Sequence, residues 1–263
     1  MNNWTKLTKE ERLTILTNIA ENKGIVENAI EKDYWVSMAL RAIFSLPYAS
    51  AFVFKGGTSL SKGWALIERF SEDIDLAIDR HYLGFSDVTT KSQRTKEAYP
   101  DEEFSLPEIV VSTVVPGRTF LEKVFLLHEE FTRPNGCTHI ERITRHMYDI
   151  VKMMDKPFAI EAMNNKTLYE DIISHRKQFT AWGRLDYTTH LPQTISFVPP
   201  THIEAVLRND YRQMQAGFIY ADAPSFDEII EQMRELQNRF RMLQWESNHK
   251  NRDGQTEKSI HKS

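Results

Sequence analysis

Cysteine is almost missing from this chain. Cys137 stands alone among 263 residues, which excludes an intramolecular disulfide framework and a cysteine-ligated metal cluster. Long apolar runs are missing too, and none could span a bilayer. The opening stretch, MNNWTKLTKEERL, is too polar for a signal peptide. The expectation is therefore a cytoplasmic protein with no membrane contact. A strong positive charge is also lacking. The formal net charge is −4, which argues against wide coating of nucleic acid but leaves room for a local basic groove. No internal repeat is visible.

What remains is an ordinary globular composition, 41% hydrophobic and 27% charged. Its length suits one large domain or two small ones. Residues 9–20 and 25–46 read as helices; in the second, Trp35, Leu40, Ile43 and Phe44 recur near a helical period. AFVF at 51–54 is a short apolar run ending at a glycine pair, the pattern of a buried strand. Leu60, Trp64 and Ile67 then fall on one helical face, with Thr58 or Ser59 able to cap its start. DIDLAID alternates strictly. It predicts a strand with Ile74, Leu76 and Ile78 on one side and Asp73, Asp75 and Asp79 on the other.

Residues 80–108 are polar and irregular, and a loop is expected there. PEIVVSTVVP reads as one or two strands. GRTFLEKVFLLHEEF predicts a helix with Phe120, Val124, Leu127 and Phe131 as its apolar stripe, and 141–154 another with Ile143, Met147, Ile150 and Met154 inward. HLPQTISFVPP forms a turn-rich joint before helices near 201–216 and 225–245. The polar tail 248–263 is expected to be disordered. The order of elements implies an α/β core followed by a helical half.

The chemistry concentrates in KGGTSLSKGWALIERFSEDIDLAID, residues 55–79. Side chains two apart on a strand point the same way, so Asp73 and Asp75 can converge on one cation. Carboxylate oxygens suit Mg²⁺, which commonly also takes oxygens from a substrate's phosphates. Gly56 and Gly57 let the backbone approach a ligand, and the helix start beyond them offers free N–H groups to a phosphate. Thr58 and Ser59 would add hydroxyl donors. Each part has a plainer reading, a turn or a solvated strand edge; the combination points to nucleotide chemistry.

The same stretch resembles the nucleotidyltransferase toxins of the AbiEii/AbiGii family, which include the MenT toxins. EKDYWVSMALRAIF resembles their N-terminal helix, PGRTFLEKVFLLHEE their third motif, RITRHMYDIVKM their fourth, and YADAPSFDEIIEQMRELQNRF their C-terminal helix. The resemblance implies a polymerase-β-like nucleotidyltransferase core over 1–115 and a helical half over 116–247. It implies transfer of a nucleotide from NTP to RNA, in some members to tRNA 3′ ends, and pairing with an AbiEi-like antitoxin. By position, Gly56, Gly57, Thr58 and Ser59 match the first motif. Ser71, Asp73 and Asp75 match the second, Lys123 the third and Asp149 the fourth. The stretch from Asp79 to Glu108 is short and strand-poor beside the family pattern, so a third carboxylate stays unassigned; Glu108 is the one acid within the apolar run.

Other side chains have structural readings. Lys123 lies away from Phe120 and Val124, as a solvated lysine would, or as a group that offsets phosphate charge. Glu122 with Thr119 reads as a capping box. Asp149 either pairs with Arg145 at i, i+4 or orients Lys123 or the substrate hydroxyl. Arg145 and Lys152 share its face and could line an RNA groove. His128, His139, His146 and His175 lack paired metal-ligand spacing. Tyr148, Trp35 and Trp64 read as core. Three functions remain open at this point: a Mg²⁺-dependent nucleotidyltransferase acting on RNA, one acting on a small molecule, and a nucleotide- or partner-binding protein without turnover.

Overall fold

The computed structural model describes residues 4–71, 73–79, 82–83, 111–133, 141–179 and 185–245. The expectations for the 80–108 loop (Tyr82 and Leu83 apart), for Glu108, for Cys137 and His139 and for the tail lie outside these residues.

Helix α1 spans Lys9–Lys23. Thr8 and Glu11 close a capping box at its start, and Gly24 ends it in the left-handed region. α2, Glu27–Phe44, turns Val36, Leu40 and Phe44 inward. They meet Phe54 of strand β1, Phe52–Lys55, and make a small core that also touches Ile74 and Leu76. β1 pairs antiparallel with β2, Asp75–Ile78, and Lys55 stands opposite Asp75. The predicted strand near 107–115 contributes only a bridge among the described residues: Phe54 N–H donates to the Ser112 carbonyl at 2.7 Å, and Val114 N–H to the Phe54 carbonyl at 2.9 Å.

The helix expected after the glycine pair is cut short. A single turn, α3, covers Gly56–Thr58, and a π-turn covers Ser59–Gly63. A π-turn holds more residues than an α-turn, so the i, i+4, i+7 spacing no longer marks one face. Leu60 and Ile67 are buried, but Trp64 is 39% exposed. Neither Thr58 nor Ser59 caps this turn; the cap position is Lys55. Trp35, also read as core, is 44% exposed. The chain then returns alongside residues 218–220: Phe70 N–H donates to the Phe218 carbonyl, and Tyr220 N–H to the Glu68 carbonyl.

The larger core is helical. α4, Pro116–Phe131, starts with a proline at its first turn, where no N–H partner is lost. It packs against α5 (Thr144–Met153), α6 (Pro157–Asn164) and α7 (Lys166–Phe179). α5 also packs on α8 (Glu204–Gly217) and α9 (Phe226–Arg241). The two predicted stripes, Phe120/Val124/Leu127/Phe131 and Ile143/Met147/Ile150/Met154, are buried there. α4 is covered on nearly every side, including Lys123, His128, Glu129 and Glu130. The capping box read at Thr119 does not form. The helix begins at Pro116, and Glu122 accepts from Arg118 at 3.0 Å. The described residues are thus mostly helical, with a two-stranded antiparallel sheet. No helix among them is long and apolar enough to cross a membrane.

Candidate active site

The glycine turn is built around its neighbours' side chains. Gly56 has φ +78°, and a Cβ there would lie 1.9 Å from Asp75 Oδ2. Any other residue would be strained and would push the carboxylate aside. A Cβ on Gly57 would lie 2.7 Å from Arg69 Nη2 and 3.1 Å from Ser71 Oγ. The two missing side chains therefore leave the space that Asp75, Ser71 and Arg69 occupy. Thr58 and Ser59 are buried. Their hydroxyls donate to the carbonyls of Asp73 and Gly56. That corrects their expected use as donors to phosphate: buried hydroxyls must be satisfied, and here Thr58 ties the turn to the segment ahead of β2 while Ser59 closes the turn on itself.

The strand predicted over DIDLAID is observed only from Asp75, so Asp73 lies just ahead of β2, and both acids face outward. Asp73 is 58% exposed, and its nearest cation is Arg145, with Nη1 3.6 Å from Oδ2. Asp75 is exposed. No cluster of three His, Cys, Asp or Glu side chains that could hold a metal occurs among the described residues. Two exposed carboxylates still fit Mg²⁺, which usually takes one or two protein carboxylates and fills its shell with water and phosphate oxygens.

Behind them lies a buried ionic cluster. Asp149 on α5 has no exposure, and its two oxygens accept from Arg69 Nε and Nη2, each at 2.7 Å. Lys123 Nζ on α4 is 2.9 Å from the same carboxylate and 3.2 Å from His146 Nδ1. Burial pushes the Asp149 carboxyl up, but Arg69 and Lys123 outweigh it and hold it well below the usual carboxylate range. Burial lowers the Lys123 ammonium, Asp149 opposes that, and Arg69 adds to it. Burial and then Lys123 keep His146 far below its ordinary value, so its Nδ1 is an acceptor for the lysine.

Three expectations change here. Lys123 is not solvated; it is buried beside Asp149. Asp149 pairs with Arg69 and Lys123, not with Arg145. Without exposure Asp149 reaches no substrate hydroxyl, and the reading that it orients Lys123 is the one the contacts support. Lys152 turns the other way and pairs with Glu68 at 2.9 Å. Tyr148 is core. Sequence reasoning missed Arg69, which bonds Asp149, packs over Gly57 and donates Nη1 to the Phe70 carbonyl. β2 starts at Asp75, so its alternation does not extend back to Arg69, and no local pattern marks that residue.

All the motif residues thus gather around one turn, contributed by chain segments from 55 to 149. A family model described as the nucleotidyl transferase AbiEii toxin of type IV TA systems matches residues 39–98 and 83–232, well over half of the chain. This chain belongs to the AbiEii family. It is a nucleotidyltransferase, and the toxin of a type IV toxin–antitoxin system, so a cognate antitoxin is its partner. No curated protein and no solved structure matches it.

Proposed function

We propose that this AbiEii toxin moves a nucleoside monophosphate from an NTP to an RNA acceptor such as a tRNA 3′ end, using Mg²⁺ held by Asp73 and Asp75. The observation that carries the reading is the contact between the glycine turn and both charge sets: Asp75 lies over Gly56, and Arg69 of the Arg69–Asp149–Lys123 cluster lies over Gly57. A surface for phosphate and a pair of metal-binding acids share one turn. In this scheme the backbone at Gly56 and Gly57 approaches the triphosphate, and Ser71 Oγ lies beside it. The acceptor hydroxyl gives its proton to solvent as its oxygen bonds to the α-phosphorus, the bond to the bridging oxygen breaks, and pyrophosphate leaves. What the ion supplies when bound is neutralisation of phosphate charge and a lower pKa for the attacking hydroxyl. Lys123, fixed by Asp149 and His146, offsets negative charge on the phosphates. Asp149 keeps its proton off and serves as the lysine's anchor. The site draws on both the N-terminal part, 1–115, and the helical part, 116–247; we assign the first a polymerase-β-like core. A cytoplasmic location and an AbiEi-like antitoxin complete the proposal.

The test is transfer of label from each NTP to total RNA, with Mg²⁺ or with chelator. Asp73→Asn and Asp75→Asn should each abolish transfer and leave thermal unfolding unchanged, because both side chains are exposed and the amide keeps their shape. Wild-type transfer by either variant would remove the metal assignment. Label appearing on small molecules and not on RNA would make the acceptor a small molecule.

A further inference from the structure

Arg69, Phe70, Arg142, Arg145, Gln213 and Phe218 make most of the wall of a small cavity. It encloses about 70 Å³. One water needs ~10–15 Å³ of such space, so there is room for roughly five heavy atoms. That is the size of one phosphate group, and it excludes a nucleoside. Arg69 sets the cavity's place. The same guanidinium lies over Gly57, so the cavity adjoins the glycine turn. Its donors are unevenly used. Arg69 is spent on Asp149 and on the Phe70 carbonyl. Arg145 Nε is buried and finds no hydrogen-bond partner among the described residues. Arg145 Nη1 stands 3.6 Å from Asp73, beyond hydrogen-bond reach. A buried donor left unpaired is costly and is ordinarily matched by a ligand. Asp210, the carboxylate in the wall, does not supply the match. It accepts from the N–H groups of Arg142 and Thr144 and from the Thr144 hydroxyl. Those bonds bracket Arg142, whose φ is +61°. That left-handed backbone costs a residue with a Cβ free energy, and such strain gathers at binding sites. Held so, the Arg142 guanidinium lies 5.4 Å over the Phe218 ring. Stacking uses its flat face, while its N–H donors lie in the plane.

We propose that this cavity receives the terminal phosphate of the donor NTP, with Arg145 and Arg142 as the groups that bind it. The inference rests on the reading above that an NTP lies along the glycine turn. It runs the triphosphate from Gly56 and Gly57, past Arg69, to the two arginines. The phosphate held there departs within pyrophosphate, so the arginines face charge that grows on the leaving side. A nucleoside monophosphate has nothing to place in the cavity. The two arginines therefore make the protein select a triphosphate.

The experiment titrates the full-length protein by calorimetry, in Mg²⁺, with each NTP and its matching NMP. The wild type should bind the NTP more tightly. Arg145→Gln should weaken NTP binding roughly tenfold, as loss of a hydrogen bond to a charged group does. It should leave NMP binding and thermal unfolding unchanged. Inhibition of transfer by added pyrophosphate should weaken by the same factor. Gln213→Glu brings a negative charge to the wall from an exposed helix position, so the fold should tolerate it. It should weaken NTP binding about threefold and spare NMP. If Arg145 served only as a neighbour of Asp73, its removal would free that carboxylate for Mg²⁺, and NTP affinity would hold or rise. That result, in a protein whose wild type prefers NTP, would overturn this inference alone. Equal losses for NTP and NMP would overturn it as well. A lower affinity for an unstructured oligoribonucleotide, with NTP affinity unchanged, would give the cavity to a phosphate of the acceptor and overturn it too. A wild type that binds NTP and NMP equally would overturn both this inference and the triphosphate site at the glycine turn.

Discussion

Two carboxylates are buried completely in the helical half, and they are built alike. Asp149 accepts two hydrogen bonds from Arg69 and a third contact from Lys123. Glu129 accepts two from Arg176, and His190 Nε2 lies 3.2 Å away. In both, burial pushes the carboxyl up and the arginine brings it below its usual range, with Lys123's help at Asp149 and His190's at Glu129. The surroundings differ. His190 stacks on Tyr187 and meets Phe125 and His128 edge-on or tilted, so the Glu129 cluster sits among rings. The Asp149 cluster borders a glycine turn and two exposed aspartates. Similar ion pairs thus serve different ends. A buried pair is weak evidence of function until its neighbours are counted.

The sharpest way to break this comparison is to neutralise each acid. Asp149→Asn leaves Arg69 and Lys123 buried together without a counter-charge, which should cost about 3–5 kcal/mol and abolish transfer. Glu129→Gln should cost about 3 kcal/mol, towards the low end because Arg176 is partly exposed, yet its folded fraction should transfer at the wild-type rate. Urea unfolding gives the first quantity, and transfer per folded molecule at low temperature the second. Loss of transfer in the folded Glu129→Gln protein would mean that the two clusters are coupled and the contrast is false.

The residue types at the glycine turn and in the Asp149 cluster were partly legible in the sequence; the Glu129 cluster and the geometry of both clusters were not. The alternation of Asp73 and Asp75, the glycine pair and both apolar stripes follow from local periodicity, which acts over a few residues. Lys123 was misread because periodicity separates apolar from polar faces, and α4 buries its polar face as well. That burial comes from α5, whose Asp149 and His146 supply partners. Trp64 was misread because a π-turn leaves no mark in a helical pattern. Arg69 lies eighty positions from Asp149, and nothing local announces such a pairing.

A smaller effect is expected at Lys123. In Lys123→Ala the Asp149 carboxylate keeps both bonds from Arg69, so stability should fall by only about 1–3 kcal/mol. Single-turnover transfer at saturating NTP should fall about a hundredfold, near 3 kcal/mol, as loss of one contact to developing charge does. Lys123→Arg should not rescue it, since a planar fork cannot stand in for a point charge packed between Asp149 and His146. A rate within about threefold of wild type, against that expected contact loss, would make Lys123 a counterion of the Arg176 kind.

The smallest effect should come from an exposed pair that joins the same two segments. Glu68 directly precedes Arg69, and Lys152 lies one turn after Asp149; their side chains meet at 2.9 Å. The chain from 68 to 69 is therefore tied to α5 twice, once through the buried Arg69–Asp149 pair and once through this one. Lys152 is 27% exposed and Glu68 51%, so water solvates both charges when they separate. Glu68→Gln should change stability by under about 1 kcal/mol, less still at high salt, and leave transfer unaltered. The backbone bond from Tyr220 N–H to the Glu68 carbonyl survives the substitution, so the segment stays in place. Chemical unfolding of Glu68→Gln beside Asp149→Asn, at low and high salt, measures the contrast. Equal losses in the two variants would show that the crossing of the segments, and not the burial of charge, sets the cost at this site.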